Sequence, residues 1–259
     1  MSANPAVMTE ALPQDHSLAA LECEQLLRKQ KLAGAFRLLA RHGFGLGRAG
    51  HVTCRDPIRP DHFWVNPFGR HFSRMRVRDL LLVSDRGEVV EGSGLLNKAA
   101  FATHAAVHAA RPDIVCAAHA HSTHGKAWSA LGRLLDPITQ DACAFYRDHA
   151  VYAEYGGVVV QRDEGERVAA SLGSGKALIM QNHGLLTVGE TVDAAIWWLL
   201  SLDSCCQVQL LAEAAGAPKV LDDAVAAETG RQIGRPKSGW HNFQPLWEVI
   251  LEEEPGFLE

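Results

Sequence analysis

The sequence predicts an α/β protein of one domain, with strands lying between layers of helices. Three observations predict this class. The chain has 259 residues, the upper end for one domain and enough to bury a core without covalent staples. Apolar residues make up 47% of it and charged residues 21%, an ordinary globular balance. Segments of helical periodicity alternate with short apolar runs of strand character, and no internal repeat or Gly/Ser/Pro-rich linker interrupts them.

The elements follow in order. Residues 1–18 hold two prolines and few large apolar side chains, so they read as a disordered arm. A helix follows, with Leu21, Leu26, Leu32, Phe36 and Leu39 recurring at helical spacing and Gly43 as its stop. "HVTCRD", "FWVNP" and "LLLVS" read as strands, and "DRGE" turns the last into "VVEG" as a hairpin. From Asn97 to Ala110 the pattern is helical, with Phe101, His104, Ala105 and His108 on one face and Arg111-Pro112 as its end. "DIVCAAHAH" is a strand, followed by a short helix from about Ser122. "GGVVVQ" is another strand candidate, and "DEGERVAASLG" is a helix closed by Gly173. "KALIMQNHG" is a strand that runs into a loop at His183. The longest helix lies between Gly189 and Gly216-Pro218. The main domain is therefore expected over 19–230. The tail over 231–259 reads as irregular, with Trp240 and Phe243 placed to cover a pocket or to pack on a neighbouring subunit.

Composition excludes several classes. The formal net charge is −5 and no Lys/Arg block stands out, so no nucleic-acid partner is expected. The apolar run "AAIWWLLSL" is too short to span a bilayer, so no membrane partner is expected either. The N-terminus lacks a basic start followed by an apolar run, which makes a cytoplasmic location the expectation. Cys23, Cys54, Cys116, Cys143, Cys205 and Cys206 show no CxxC spacing and read as free thiols.

The chemistry concentrates in "IVCAAHAHSTHG", which holds His119, His121 and His124. Side chains at i and i+2 of a strand share a face, so His119 and His121 can reach one ion, whereas His124 lies beyond them. A third ligand must come from elsewhere, and His183 in "IMQNHGLLTVG" is the best placed. Three neutral imidazoles hold a divalent ion and leave a position open for substrate. Spacing alone leaves hydrogen-bonded structural histidines as the alternative.

"RPDIVCAAHAHS" and "QNHGLLTVGETVDAA", flanked by "FRLLARHGFGLGRAGHVTCRDP", "FWVNPFG", "LLLVSDRGEVVEG" and "NKAAFATHAAVHAARPD", resemble the class II aldolase/adducin family in order and spacing over roughly residues 30 to 215. The resemblance implies a three-layer αβα fold with a central, mainly antiparallel sheet. It implies His119, His121 and His183 as metal ligands, for zinc in the first place, with iron, manganese or cobalt as alternatives. It also implies a fourfold homotetramer with active sites at subunit boundaries.

The sequence departs from the sugar-phosphate aldolases of that family at the acid/base. Their catalytic glutamate lies four positions before the histidine that aligns with His104, where this chain has Ala100. Lys98 and Ala99 replace their phosphate-binding serines, and Gly50-His51 replaces a glycine-asparagine pair. The expected substrate is therefore a small unphosphorylated carboxylate. Lys98 and His51 are candidates to bind it and to take part in catalysis, with Arg70 and Arg74 as weaker sources of charge or as surface residues. His124 is a candidate proton shuttle, and Gln140 a substrate contact reaching a neighbouring site. His104 and His108 read as packing or hydrogen-bonding residues. The function expected is lyase-type: aldol cleavage or decarboxylation of a keto or hydroxy acid through a metal-stabilised enolate. A non-haem Fe(II) decarboxylating oxygenase acting on aryl keto acids is the first alternative, and a non-catalytic adducin-like binding module the second.

Overall fold

The computed structural model describes residues 17–157 and 162–259, so the arm over 1–16 lies outside the described residues. Helix α1 (Leu18–Arg41) starts at Ser17, whose Oγ accepts a hydrogen bond from the Ala20 N–H at 3.3 Å. Four strands follow: β1 (His51–Arg55), β2 (His62–Val65), β3 (Leu81–Ser84) and β4 (Val89–Glu91). Helix α2 (Lys98–Ala110), strand β5 (Cys116–Ala120) and helix α3 (Thr123–Ser129) come next. Then come β6 (His149–Tyr152), α4 (Arg162–Leu172), β7 (Ala177–Met180) and β8 (Gly184–Gly189), and three helices close the chain: α5 (Val192–Ala215), α6 (Asp223–Ile233) and α7 (Pro236–Glu253).

The strands form one eight-stranded sheet in the order β4-β3-β2-β1-β5-β8-β7-β6. Every neighbouring pair is antiparallel except β6 with β7. Alternation on β5 defines two faces: Cys116, Ala118 and Ala120 enter the core that includes α1, α5 and α7, while Ala117 enters the core of α2 and α4. The result is the expected helix–sheet–helix layering. Small side chains along β5 let both helical layers approach the middle of the sheet closely.

Helix α5 is long and apolar enough by composition to cross a membrane. Here Ile196, Leu199, Leu202 and Cys206 are buried between sheet and helices, which accounts for an apolar character on more than one side.

Two expectations need correction. The tail is not irregular: α6 runs through residue 230 and α7 spans most of the remaining chain. Gly239 and Pro245 weaken the helical pattern in the sequence, but Pro236 at the first turn and Phe243, Trp247 and Ile250 at i, i+4 and i+7 supply a start and a buried stripe. The tail also packs on its own chain: Phe243, Trp247, Ile250 and Phe257 belong to the core with α1 and α5, on the face of the sheet away from α2. A Cβ on Gly34 would lie 2.4 Å from the Trp247 ring, so glycine is required where α1 meets α7. Strand β6 gives no signal in the sequence, and most of the strand candidate "GGVVVQ" lies outside the described residues. Lys31, Asp193 and Trp247 tie the helical layer together, with a 2.7 Å buried ion pair and the ammonium 4.2 Å from the ring centroid.

Trp247→Ala should therefore destabilise the protein by about 3–5 kcal/mol in a urea titration. A loss below about 1 kcal/mol would contradict the placement of α7 in the core.

Candidate metal centre

The site forms where four strand ends meet on the α2 face of the sheet. His119 lies within β5 and His121 just past its end, on the face shared with Ala117. His183 closes the tight turn between β7 and β8, in which Asn182 takes a left-handed backbone (φ 57°). The turn is tied down by Gln181 N–H to the Tyr152 carbonyl at 2.9 Å and His183 N–H to the Met180 carbonyl at 3.0 Å. Gly184 allows the rings to converge: a Cβ there would lie 2.6 Å from the Ala120 carbonyl oxygen and 3.4 Å from the rings of both His119 and His121.

The three donors suit one ion. The Leu185 carbonyl accepts from His119 Nδ1 at 2.8 Å, which puts the ring proton on Nδ1 and leaves the Nε2 lone pair for a metal. His119 Nε2 and His121 Nε2 lie 3.0 Å apart, close to the roughly 3.3 Å that tetrahedral Zn–N bonds of about 2.0–2.1 Å impose. One ligand nitrogen from each of His119, His121 and His183 lies within 4.8 Å of the others. Burial keeps all three imidazoles neutral: desolvation pushes His183 down to about 4, with His121 adding to it, and holds His119 well below its ordinary value. His121 is lowered too, first by burial and then by Lys126. A divalent ion meets lone pairs there, not protons.

A cleft of about 740 Å³, including its open mouth, lies beside the three rings. His51, Asn97, Ala100, Thr103, Tyr155 and Met180 contribute to its walls. His51 pairs directly across from His119 in the β1–β5 register, and its buried Nε2 has no hydrogen-bond partner. Asn97 caps α2 through Oδ1, which accepts from Ala100 N–H at 3.3 Å, so the start of that helix lies at the cleft.

The structure thus brings His119, His121, His183 and His51 together, but not the other sequence candidates. His124 points the other way: its Nδ1 lies 3.4 Å from Asp203 on α5, whose carboxylate also accepts from Gly125 N–H at 2.8 Å. The chain turns at Ser122 and carries α3 onto α5, so His124 leaves the site and is not placed to shuttle a proton there. Lys98 is exposed at the first position of α2 and Gln140 is exposed before a short 3-10 turn, both outside the cleft lining. Arg70 pairs with Asp79 at 2.9 Å, and Arg74 is exposed. Sequence reasoning misses Thr103 and Tyr155, and also Arg48, which with Asn66 and Phe68 lines a small chamber that shares His51 with the cleft. Arg48 and Tyr155 stand on connections with no periodicity, where only the fold reveals what they face.

With this geometry in view, the chain's likeness to known proteins is specific. The model of the class II aldolase and adducin N-terminal domain matches residues 30–210. Decarboxylase NovR of Streptomyces niveus is 47% identical over 229 residues, 88% of this chain and 85% of the relative. A 4-hydroxy-3-prenylphenylpyruvate oxygenase/4-hydroxy-3-prenylbenzoate synthase of Streptomyces roseochromogenus subsp. oscitans is 46% identical, over 88% of this chain and 83% of the relative. A solved structure described as L-fuculose 1-phosphate aldolase from Glaciozyma antarctica superposes with a TM-score of 0.88 at 41% identity, covering 96% of this chain and 98% of its own.

Two outcomes are expected. His183→Ala should lose most of the divalent metal that the wild type retains after dialysis, while His124→Ala should keep it, and equal metal content in wild type and His183→Ala would contradict the ligand set. The buried histidines should also make the chelator-stripped protein acid-sensitive. Burial, helped by Arg55, holds His108 at about 3 against an ordinary 6.5. Between those values the unfolded chain binds a proton that the folded chain refuses, so stability is complete above about 6.5 and lost as the pH falls toward 3. A Tm that stays flat from about pH 7 to about pH 4 would contradict this.

Proposed function

This chain belongs to the class II aldolase and adducin family, and from that premise we propose that it is a metal-dependent enzyme that breaks a carbon–carbon bond beside the keto group of a small, unphosphorylated acid, most directly by decarboxylation. One observation carries this reading. A complete imidazole triad opens onto a cleft that, among the described residues, has no carboxylate in its lining, with Ala100 at the position where the sugar-phosphate aldolases have their proton-transfer glutamate. The relatives named decarboxylase and phenylpyruvate oxygenase support the substrate class. The Glaciozyma antarctica protein is named a sugar-phosphate aldolase. The lining of the cleft argues against that substrate here, because Ala100 can neither accept nor donate a proton.

When bound by His119, His121 and His183, a divalent ion would polarise the keto and carboxylate oxygens of such a substrate and offset the charge that develops as the bond breaks. The chain's own residues do the rest. His51 reaches the cleft with a buried, unpartnered nitrogen and binds one substrate oxygen. Thr103 and Tyr155 add hydroxyls to the lining, and Met180 adds apolar surface for the substrate's carbon skeleton. Arg48, one chamber away, supplies a guanidinium toward a second acidic group. We place the enzyme in the cytoplasm as a fourfold homotetramer, an assembly that would bury exposed leucines such as Leu46, Leu95 and Leu211.

Which bond breaks decides whether oxygen is needed. Loss of a β-carboxylate, or cleavage of an aldol bond, leaves its electron pair next to the keto group, where a Lewis acid stabilises it. Loss of the carboxylate attached to the keto carbon leaves a pair with no such outlet and requires an oxidant. The 46% identical relative named as an oxygenase favours this second, iron- and oxygen-dependent reading.

The test is a carbon dioxide release assay on zinc-, manganese- and iron-loaded protein, with β-keto acids and arylpyruvates, aerobically and under argon. Release from a β-keto acid under argon fits the lyase. Release from an arylpyruvate only with iron and oxygen fits the oxygenase. Without the glutamate, L-fuculose 1-phosphate should turn over about a hundredfold to ten-thousandfold more slowly than on an aldolase that carries it, and efficient turnover of it would contradict the reading.

A further inference from the structure

Behind the cleft runs a line of buried polar groups that the proposed reaction does not use. Thr53 Oγ1 lies 2.7 Å from His104 Nδ1 and 2.9 Å from His108 Nε2, and all three residues are essentially solvent-free. Arg55 closes the outer end. One terminal nitrogen of its guanidinium lies 2.8 Å from the His108 carbonyl and 3.4 Å from His108 Nδ1, while the others bond the Ile114 and Pro60 carbonyls at 3.2 and 2.8 Å. The inner end meets the site, where the His104 and His51 rings stand with centroids 4.1 Å apart and His51 stands 5.2 Å from His119. His104 Nε2 and His51 Nε2 are both buried without a hydrogen-bond partner.

The proton inventory runs in one direction only. A guanidinium donates and cannot accept, so the His108 nitrogen facing Arg55 carries the lone pair and the ring proton lies on Nε2. That Nε2–H donates to Thr53 Oγ1. The buried Thr53 hydroxyl has one proton and, among the described residues, the two rings as its hydrogen-bond partners, so having accepted from His108 it satisfies that proton by donating to His104 Nδ1. His104 then carries its proton on Nε2, on the side left without a partner in the fold.

We propose that Arg55, His108 and Thr53 form a one-way hydrogen-bond relay that locks His104 as the Nε2–H tautomer, and that His104 is a positioning residue that holds the ring of His51 for substrate. The relay joins strand β1 to helix α2 across the sheet face, so it also fixes the distance between His51 and the wall that carries Ala100 and Thr103. A neutral ring without the relay would sample both tautomers, and the polarity of the ring packed 4.1 Å from His51 would alternate with them.

The experiment uses the full-length, zinc-loaded protein with 15N-labelled histidine. Long-range 1H–15N correlation reads the tautomer of each ring, with His104 and His108 assigned from His104→Gln and His108→Gln. The wild type should show both rings as Nε2–H. Thr53→Val removes the hydroxyl with little change of volume and should leave His104 as a mixture, while Thr53→Ser should restore a single tautomer. A wild-type His104 protonated on Nδ1, or an unchanged spectrum in Thr53→Val, overturns the relay. The role of His51 rests on the proposed function and has its own readout: with the keto acid that the wild type uses, Thr53→Val should raise KM about tenfold with kcat changed less, and Thr53→Ser should recover it. Equal KM values in wild type and Thr53→Val overturn the positioning role. A wild type inactive on every keto acid contradicts the proposed reaction alone, since the spectrum decides the tautomer independently.

Discussion

The antiparallel pairing of β5 with β8 is the contact on which the site depends. In that ladder His119 stands opposite Leu186 and Ala120 opposite Leu185, which brings the Leu185 carbonyl to His119 Nδ1 and lays Gly184 under two imidazoles. The pairing thus sets a tautomer, a ring orientation and a close approach at once. A one-residue slip would turn His119 and His121 to the α1/α5 face and bury them among leucines and alanines. The β7–β8 turn hangs on the same ladder, so His183 arrives with it.

The two faces of the sheet divide the work. The face under α1, α5 and α7 is packed with tryptophan, phenylalanine and leucine, and it takes the tail helix as well. The face under α2 and α4 mixes aliphatic side chains with buried polar groups: His51, Thr53, His104, His108 and His119 are all nearly solvent-free. Such groups are costly to bury and need partners. Where the fold supplies those partners, through Arg55, Thr53 and the Leu185 carbonyl, the rings are oriented. Where it does not, at the Nε2 atoms of His51 and His104, an unmet hydrogen-bonding demand remains at the edge of the cleft.

Much of this is legible in the sequence, and the limits have physical causes. Period-two alternation places His119 and His121 on one face, and the Gly after His183 marks a turn, so the metal candidates can be read from residue type and spacing. The placing of strands between helical layers follows from the alternation of helical and strand-like segments, whereas the mainly antiparallel order of the sheet follows from the resemblance and not from periodicity. The tail reads wrongly because Gly239 and Pro245 suppress a helical signal that Phe243, Trp247 and Ile250 restore only when packed on α1 and α5. His124 is read correctly as lying on a helix past the strand, but which way that helix turns is not written in the sequence: packing of α3 on α5 sets the His124 ring 3.4 Å from Asp203, away from the other three imidazoles. Thr53 gives no signal at all: a threonine on a strand is ordinary, and only the approach of α2 reveals that two histidines share its hydroxyl.

The proposed function requires His119, His121 and His183 to present one metal ion to a keto acid. Cobalt(II) reports on it directly, because its visible absorption follows both ligand number and the arrival of a substrate oxygen. Saturation is expected near one cobalt per chain, with an absorption band characteristic of a site with few ligands and a shift of that band when a keto acid is added but not when L-fuculose 1-phosphate is added. A cobalt spectrum insensitive to every keto acid, or saturation far from one ion per chain, would contradict it.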